Sequence, residues 1–391
     1  MGGAFTGVAN DASCIYFNPG GMSGLTNRHE LYTGLSLIIP NVSVHTVAVD
    51  NTDQTSPVAT PIQFYYIYKL NEKLTVGMLV NNQFGARSTY PDNWEGRYIV
   101  QELSLKTFMF QPSIGYAFKD WLQVGAGFVY ATGDFELRQA APLQTATTSM
   151  GEAHLTGSGK STGFNIGVLS KVKNYFTLGI DYRSSLKVNL NNGKAEFTNF
   201  PAAVLDRFPA ETSFTSSVTL PAVLCVGISR KFYDEKWTIA LDFWRTYWSS
   251  YDTLRFDFAN EKTPDVKSAR NFKDVNFIGF GASYQYKPST IFRAGTFYDF
   301  SPMQNGYISP ELPDKNTWGF SFGVGIKFGE RVTVDLSYLH YTVSMIGASL
   351  TEQNFIADYN KSIDVIDFGF NFKFGKNMKD LPIAARGPDI K

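Results

Sequence analysis

The stretch Trp318–Phe328, which reads WGFSFGVGIKF, alternates large apolar residues with small or polar ones. Tryptophan, phenylalanine, valine and isoleucine occupy every second position, and glycine, serine and lysine lie between them. Because successive side chains of a β-strand point to opposite faces, this pattern predicts a strand with one apolar and one polar face. The same period of two recurs at 176–183, 237–243 and 332–338, whereas the helical period of 3.6 is almost absent. We therefore expect an all-β fold.

Fourteen segments show this alternation and are predicted to be strands. They span residues 30–49, 61–70, 74–84, 98–118, 121–138, 152–171, 175–190, 211–232, 236–258, 272–286, 290–300, 316–328, 331–343 and 361–374. Several are long enough to cross a bilayer at a tilt, which takes about 9–11 residues. Aromatic residues at the ends of their apolar faces, such as Trp237, Trp318 and Phe328, suit membrane-interface girdles. A large soluble β-sandwich or a propeller is the alternative, but repeats of the propeller kind are not evident.

The connections between these segments alternate between two lengths. Short turns are predicted at 71–73, 119–120, 172–174, 233–235, 287–289 and 329–330. Long loops are predicted at 50–60, 85–97, 139–151, 191–210, 259–271, 301–315 and 344–360. Short turns at one end and long loops at the other are typical of an antiparallel barrel in the bacterial outer membrane. An even number of strands places both termini at the short-turn end, which is periplasmic in such barrels.

The composition agrees with a barrel and excludes several other classes of protein. The 391 residues include 33 phenylalanines, 21 tyrosines and 6 tryptophans, yet the mean hydropathy is −0.15. This composition is too aromatic for a disordered chain, and this mean hydropathy is too low for a helical membrane protein. Lys and Arg total 35, as do Asp and Glu, so the basic excess that binds nucleic acid is missing. The histidines are scattered without metal-ligand spacing, and we expect neither a metal nor a cofactor.

The alternation also assigns the charged strand residues to the lumen of the barrel. These residues are Asp181, Arg183, Asp242, Arg293, Asp299, Lys327 and Asp335. A fourteen-stranded barrel is wider than one filled by its own side chains and narrower than the open porins. Residues 1–29 precede the first predicted strand and are available to fill the lumen. The two cysteines are Cys14 in this segment and Cys225 on the eighth strand, and the sequence leaves open whether they pair.

The N-terminal residues carry a recognisable motif. The runs Gly2–Ala9, Asp11–Ser13 and Tyr16–Met22 resemble the N-terminal hatch of the FadL-type outer-membrane transporters of long-chain fatty acids and aromatic hydrocarbons. The usual family form Asn-Pro-Ala is here Asn18-Pro19-Gly20, a small-for-small change. Further similar blocks are Tyr182–Ser184, Leu220–Val223, Trp248–Asp252, Phe292–Pro302 and Leu312–Asp314. The resemblance implies a hatch at 1–29 that plugs a fourteen-stranded barrel at 30–374. Residues 375–391, which continue beyond the usual end of the family, are predicted to form a periplasmic tail.

The resemblance implies passive uptake of a hydrophobic small molecule, such as a fatty acid, a hydrocarbon or a detergent, from the outer-membrane surface. Its candidate ligand-binding residues are apolar and lie in the hatch and the fourth long loop: Phe5, Ile15, Tyr16, Phe17, Met22, Phe197, Phe200, Val204, Leu205 and Phe208. Residues 201–208 are predicted to form a short amphipathic helix. Packing of the loop and hatch on themselves is the alternative role for these side chains.

A carboxylate ligand would require a cation in the lumen, because an unpaired carboxylate in an apolar groove is unfavourable. Arg97, Arg183 and Arg293 are the candidates. A structural charge network with the lumenal aspartates is the alternative role for Arg183 and Arg293. For a lateral exit, the third strand offers a candidate kink at Asn82, Phe84 and Gly85, for which an ordinary strand end is the alternative.

Two other functions compete with uptake. The tail at 375–391 continues past Phe374, where barrels of this kind usually end, and favours a non-transporting barrel that serves as a partner in secretion or surface assembly. Such a tail offers a contact for a periplasmic or outer-membrane protein. A disordered, solvated chain end, typical of a run rich in Lys, Asp, Gly and Pro, is the alternative and the one we expect. A lipid hydrolase of the outer membrane would need a Ser–His pair, for which His340 and Ser344 are the candidates. We expect a transporter and no enzyme.

Overall fold

The computed structural model describes residues 1–46, 52–144, 150–172 and 176–377. Within these ranges the strands are β1 (Asn27–His45), β2 (Thr52–Asp53), β3 (Ile62–Lys69), β4 (Leu74–Asn81), β5 (Gly85–Thr89), β6 (Glu102–Lys119), β7 (Leu122–Gln144), β8 (Met150–Val172), β9 (Phe176–Arg183), β10 (Leu186–Thr198), β11 (Glu211–Leu220), β12 (Val223–Phe232), β13 (Trp237–Thr246), β14 (Thr253–Phe258), β15 (Val266–Ala269), β16 (Val275–Lys287), β17 (Thr290–Asp299), β18 (Thr317–Phe328), β19 (Val332–Leu350) and β20 (Phe355–Asn377). The helical elements are α1 (Cys14–Phe17) and the 3₁₀ helices Pro19–Gly24, Ala202–Val204, Trp248–Ser250 and Thr351–Gln353. Of the described helices, none has the length and apolarity to span a bilayer.

The strands close into a barrel. Neighbours pair antiparallel in the order β1, β3, β4, β6, β7, β8, β9, β12, β13, β16, β17, β18, β19 and β20. The last strand returns to the first through a ladder that runs from His29 opposite Phe374 to His45 opposite Asp358. The prediction of a fourteen-stranded antiparallel barrel is confirmed.

The remaining strands extend the wall at the end opposite the short turns. β5 pairs with β6 beyond the end of β4, and β10 pairs with β8 beyond the end of β9. Strands also continue into predicted loops, because β7 reaches Gln144 and β19 reaches Leu350. The predicted loops at 139–151 and 344–360 are therefore largely strand. Side-chain contacts accompany the longer β7–β8 ladder, as in the 3.1 Å ion pair between Arg138 and Glu152.

Several predicted strands are divided where the ladder cannot continue. The predicted strand 211–232 is split between Leu220 and Val223, because Pro221 has no N–H to donate. The predicted strand 175–190 is split after Arg183, and 236–258 is split by the 3₁₀ turn Trp248–Ser250. The predicted strand 74–84 ends at Asn81.

The two faces of the wall follow the alternation. Phe320 and Phe322 point outward and are more than half exposed, whereas Ser321 between them is buried inside. Inward glycines leave space for another part of the chain: a Cβ on Gly279 would lie 2.2 Å from Gly2 O. Likewise, a Cβ on Gly125 would lie 2.2 Å from Pro19 O. The small residues of the alternating pattern thus allow the N-terminal backbone to approach the wall closely.

Two sequence predictions concern the ends of the chain and the cysteines. Cys14 and Cys225 are both buried and free, so they do not form a disulfide with each other. Residues 375–377 prolong β20, and the rest of the predicted tail lies outside the described residues. The end of the predicted first strand, at 47–49, also lies outside them.

Candidate functional site

The N-terminal segment, residues 1–26, lies against the inner wall and is held mainly through its backbone. The carboxylate of Asp242 accepts hydrogen bonds from the N–H groups of Phe5 and Thr6 at 3.0 and 2.8 Å. Ser229 Oγ donates to Gly7 O at 2.7 Å, and Gln111 Nε2 donates to Ile15 O at 2.9 Å. The wall side chains thus supply partners for backbone groups that are buried away from water.

The turn at Asn18 fixes the segment to both itself and the wall. Asn18 Nδ2 donates to Thr6 O and to Val168 O, each at 3.0 Å. Asn18 Oδ1 accepts from Gly20 N at 3.0 Å and completes the turn. A Cβ on Gly20 would lie 2.8 Å from Leu169 N, so an alanine here requires the turn to shift. The replacement of the usual family alanine by Gly20 therefore matters in this chain, because the wall leaves no room for a Cβ at this position.

A cavity of about 510 Å³ lies between the N-terminal segment and the wall. The predicted residues Phe5, Tyr16, Phe17 and Arg293 line it. Ile15 and Met22 are fully buried and do not line it. Their side chains pack beneath β4, where a Cβ on Gly77 would lie 2.9 Å from Ile15 Cδ1 and 3.0 Å from Met22 Cε.

The same cavity reaches the interruption of the wall between β4 and β5. Pro61, Ile62, Asn82 and Gln83 belong to its lining. Asn82 bridges the interruption with its side chain, since its Oδ1 accepts from Ile62 N at 3.0 Å and its Nδ2 donates to Thr107 O at 2.7 Å.

The backbone resumes its pairing just after the interruption. Phe84 N donates to Thr107 Oγ1 at 3.1 Å, and Gly85 is the first residue of β5, opposite Lys106. At this place side-chain hydrogen bonds replace the backbone ladder.

The predicted lumenal cations are bound to the protein itself. Arg293 Nη1 lies 2.6 Å from Asp335 Oδ1. Arg183 donates to Tyr16 O and to Gln83 Oε1, and its guanidinium lies 4.0 Å from the centre of the Tyr16 ring.

Arg97 lies away from this cavity. Its Nη1 donates to Trp94 O at 2.9 Å, and its guanidinium lies 4.6 Å from the centre of the Tyr98 ring. Of the three predicted arginines, only Arg293 is part of the described cavity lining.

The predicted loop residues form an aromatic cluster at the long-loop end. Phe197 and Phe208 have ring centroids 5.4 Å apart, and Phe200 lies 5.1 Å from Phe208. Val204 packs against this cluster, whereas Leu205 is 45% exposed. The cluster continues toward the lumen through Phe258, Phe214, Phe256 and Phe135, with successive centroids 5.4–6.2 Å apart.

The predicted helix at 201–208 is shorter than expected. A 3₁₀ helix covers Ala202–Val204, and one further turn follows, in which Phe208 N donates to Val204 O at 2.8 Å. The next carbonyls have partners outside a helix, because Asn260 Nδ2 donates to Asp206 O and Arg207 O. Contact with the neighbouring loop therefore ends the helix.

One element of the site gave no sequence signal. Arg270 and Glu311 lie in two predicted loops, where charged residues are usually solvated, yet they are 8% and 7% exposed and form an ion pair. They line a cavity of about 60 Å³ together with Leu105, Phe135 and Tyr251. A pairing of residues from separate loops has no local sequence pattern.

A family model described as "Outer membrane protein transport protein (OMPP1/FadL/TodX)" matches residues 1–374. The chain belongs to this family. The long-chain fatty acid transport protein of Escherichia coli K12 is 24% identical to this chain over 383 aligned positions. The match covers 87% of this chain and 85% of the relative. The 47 kDa outer membrane protein of Pasteurella multocida is 25% identical, over 87% of this chain and 84% of its own.

Solved structures of the OMPP1/FadL/TodX family share the fold. A Pseudomonas aeruginosa FadL homologue superposes with a TM-score of 0.82 at 16% identity, over 96% of this chain and 98% of its own. The Pseudomonas putida toluene transporter TodX superposes with a TM-score of 0.74 at 16% identity, over 94% of this chain and 95% of its own. The protein is an outer-membrane β-barrel of Gram-negative bacteria.

Membership of the OMPP1/FadL/TodX family also decides between the competing functions. The family consists of transport proteins, which confirms the prediction that the chain is not an enzyme. The candidate nucleophile, Ser344, donates its hydroxyl to Asn360 Oδ1 at 2.9 Å and not to His340, whose Nδ1 lies 2.8 Å from Asp364 Oδ1. The two hydrolase candidates are thus engaged with different partners.

Proposed function

We propose that this protein carries hydrophobic small molecules passively across the outer membrane. The observation that carries the proposal is the cavity of about 510 Å³ that lies against the N-terminal segment and reaches the wall interruption at Asn82. Relatives described as a fatty acid transport protein and a toluene transporter support it. Burial of apolar ligand surface, at about 25 cal/mol per Å², supplies the affinity without an energy source.

The proposed route begins at the aromatic cluster and ends at the interruption. A ligand adsorbs to the exposed rim near Leu205, passes along the phenylalanines to the apolar surfaces around Phe135, and reaches the cavity beside Phe5 and Tyr16. It leaves sideways between β3 and β5, past Asn82. Among the described residues, the side chains of Asn82 and Thr107 close this gap, so opening it there does not require separation of a backbone ladder.

The N-terminal residues act as the hatch in this proposal. The proposed bounds are 1–29 for the hatch, 30–374 for the barrel and 375–391 for a periplasmic tail, with both termini on the periplasmic side. The last three hatch residues already belong to β1, and the first three tail residues prolong β20. The tail is also the proposed contact for a periplasmic or outer-membrane protein partner.

An uptake measurement tests the proposal. Cells that lack their own transporters of this family are given the full-length protein, and uptake of radiolabelled toluene and oleic acid is followed over seconds to minutes. We expect faster uptake of at least one compound than in cells with the empty vector. Uptake of both compounds at the rate of the empty-vector cells would refute the proposal, provided that outer-membrane fractions contain the folded barrel.

A further inference from the structure

The main cavity is acidic. Among its described lining residues, Arg293 is the one basic side chain, whereas Asp11, Asp335 and Asp367 are carboxylic acids. The α-amino group of Met1 also lines the cavity and donates to Ser321 Oγ at 3.3 Å. Burial lowers the pKa of this amine to about 6, so it is largely uncharged at pH 8. Arg293 is already paired with Asp335 at 2.6 Å. The other two carboxylates accept hydrogen bonds from hydroxyls, namely Ser13 Oγ at 2.5 Å and Ser337 Oγ at 2.9 Å. Burial raises the pKa of Asp11, yet neither of its ionisation states adds a positive charge.

The smaller cavity near the long-loop end is neutral. Its cation, Arg270, is paired with Glu311, which also accepts from Ser309 Oγ at 3.1 Å. One guanidinium hydrogen-bond donor, Arg270 Nε, has no partner among the described residues. It can donate to a neutral oxygen, such as an ester or ketone carbonyl, without a change in net charge.

The buried cations that contact the N-terminal segment are also committed to the protein. Arg183 is 5% exposed and is bound to Tyr16 O and Gln83 Oε1. Lys69 is 6% exposed and donates to Ser23 O and Leu25 O at 2.5 and 2.7 Å. A ligand carboxylate would have to displace one of these contacts.

From this arrangement we infer that the ligand is an uncharged hydrophobic molecule and that the lumen selects against ionised fatty acids. The inference rests on the proposed uptake function and specifies its substrate class. A carboxylate that entered would remain unpaired among aspartates or would compete with Asp335 or Glu311 for its guanidinium, and both are unfavourable away from bulk water. A neutral ester or an aromatic hydrocarbon meets neither obstacle.

Matched ligands test the inference. The full-length protein in lipid nanodiscs is incubated at pH 8 with radiolabelled oleate, methyl oleate or toluene, and binding to empty nanodiscs is subtracted. Oleate and methyl oleate share the same chain and differ in charge. We expect methyl oleate and toluene to bind, and oleate to bind on the order of 100-fold more weakly than its ester.

Each contrary result has a distinct meaning. Oleate binding as tight as that of methyl oleate would overturn the charge inference and leave the uptake function standing. Binding of none of the three ligands would overturn both.

Variants that release a guanidinium provide a second measurement. Glu311→Gln frees Arg270 and Asp335→Asn frees Arg293, and we expect each to raise the ratio of oleate affinity to methyl oleate affinity by about tenfold or more. Asp234→Asn, on the exposed turn between β12 and β13, is the matched control and should change neither affinity. A lack of gain in both variants, with barrels that remain folded by thermal unfolding, would overturn the assignment. If either variant fails to fold, the ligand comparison on the unmodified protein still decides.

Discussion

Asp242, in the middle of β13, accepts a hydrogen bond from the backbone N–H of Thr6 at 2.8 Å, and both residues are fully buried. The same carboxylate oxygen accepts from Phe5 N at 3.0 Å. A single wall side chain therefore holds two consecutive N–H groups of the N-terminal segment. Since these bonds involve backbone groups, the anchoring depends on the wall residue and on the path of the segment more than on the side chains of Phe5 and Thr6.

Removal of this anchor should loosen the segment and spare the barrel. Asp242→Leu keeps the approximate size of the side chain but leaves two buried N–H groups without an acceptor, at a cost of about 1–3 kcal/mol for each. We expect higher single-channel conductance in planar bilayers and faster proteolysis near residues 5–6. Asp242→Asn, which keeps one acceptor oxygen, should lie between Asp242→Leu and the unmodified protein, and Asp234→Asn should match the latter. Unchanged conductance in Asp242→Leu would contradict this role.

The Asn18 turn should be sensitive to one methyl group on the wall. A Cβ on Gly167 would lie 2.2 Å from Asn18 Oδ1, whereas a Cβ on Gly133 would have its nearest neighbours at 3.6 Å. We therefore expect Gly167→Ala to displace the turn and lower the temperature of thermal unfolding, with Gly133→Ala close to the unmodified protein. Circular dichroism of the purified barrels measures both. Equal unfolding temperatures for the two variants would contradict this prediction and show that the turn accommodates the methyl group with no loss of stability.

The interruption beside Asn82 should be the way out for the ligand. Asn82→Trp fills the gap with an indole that also stands in the path from the cavity, and we expect uptake of toluene to fall toward that of cells without the protein. Phe292→Trp, on the outward face of β17, introduces the same side chain elsewhere and should leave uptake unchanged. Full uptake by Asn82→Trp would place the exit under the N-terminal segment instead.

The ion pair between Arg270 and Glu311 predicts a specific pattern of stability. Loss of one partner leaves the other charge buried, so Arg270→Met should destabilise the loops by about 3–5 kcal/mol. The double variant Arg270→Met/Glu311→Leu removes both charges and should recover most of this loss. Hydrogen exchange of the segments 259–271 and 301–315 reports the effect locally. A double variant as unstable as the single one would argue that packing of Arg270, and not its charge, supports the loops.

The alternation at 318–328 determined much of the structure by itself. Period two sorts side chains to two faces through backbone geometry alone, so the outward Phe320 and the inward Ser321 are predictable without any knowledge of their neighbours. The order of short turns and long loops then defined an antiparallel barrel, and the N-terminal motif identified the family. Proline at 221 could also have signalled the split of its strand, since it lacks the N–H that a ladder requires.

What the tertiary structure decided is which partner each lumenal polar group finds. Ser88 Oγ donates to Glu311 O across 223 positions of sequence, and Asp242 holds Thr6 across 236. Such pairings arise where the curved wall brings distant strands and loops together, and no local period encodes them. The sequence therefore specified the faces of the barrel, while only the closed barrel determined that Arg293 and Arg270 are neutralised by carboxylates from other segments.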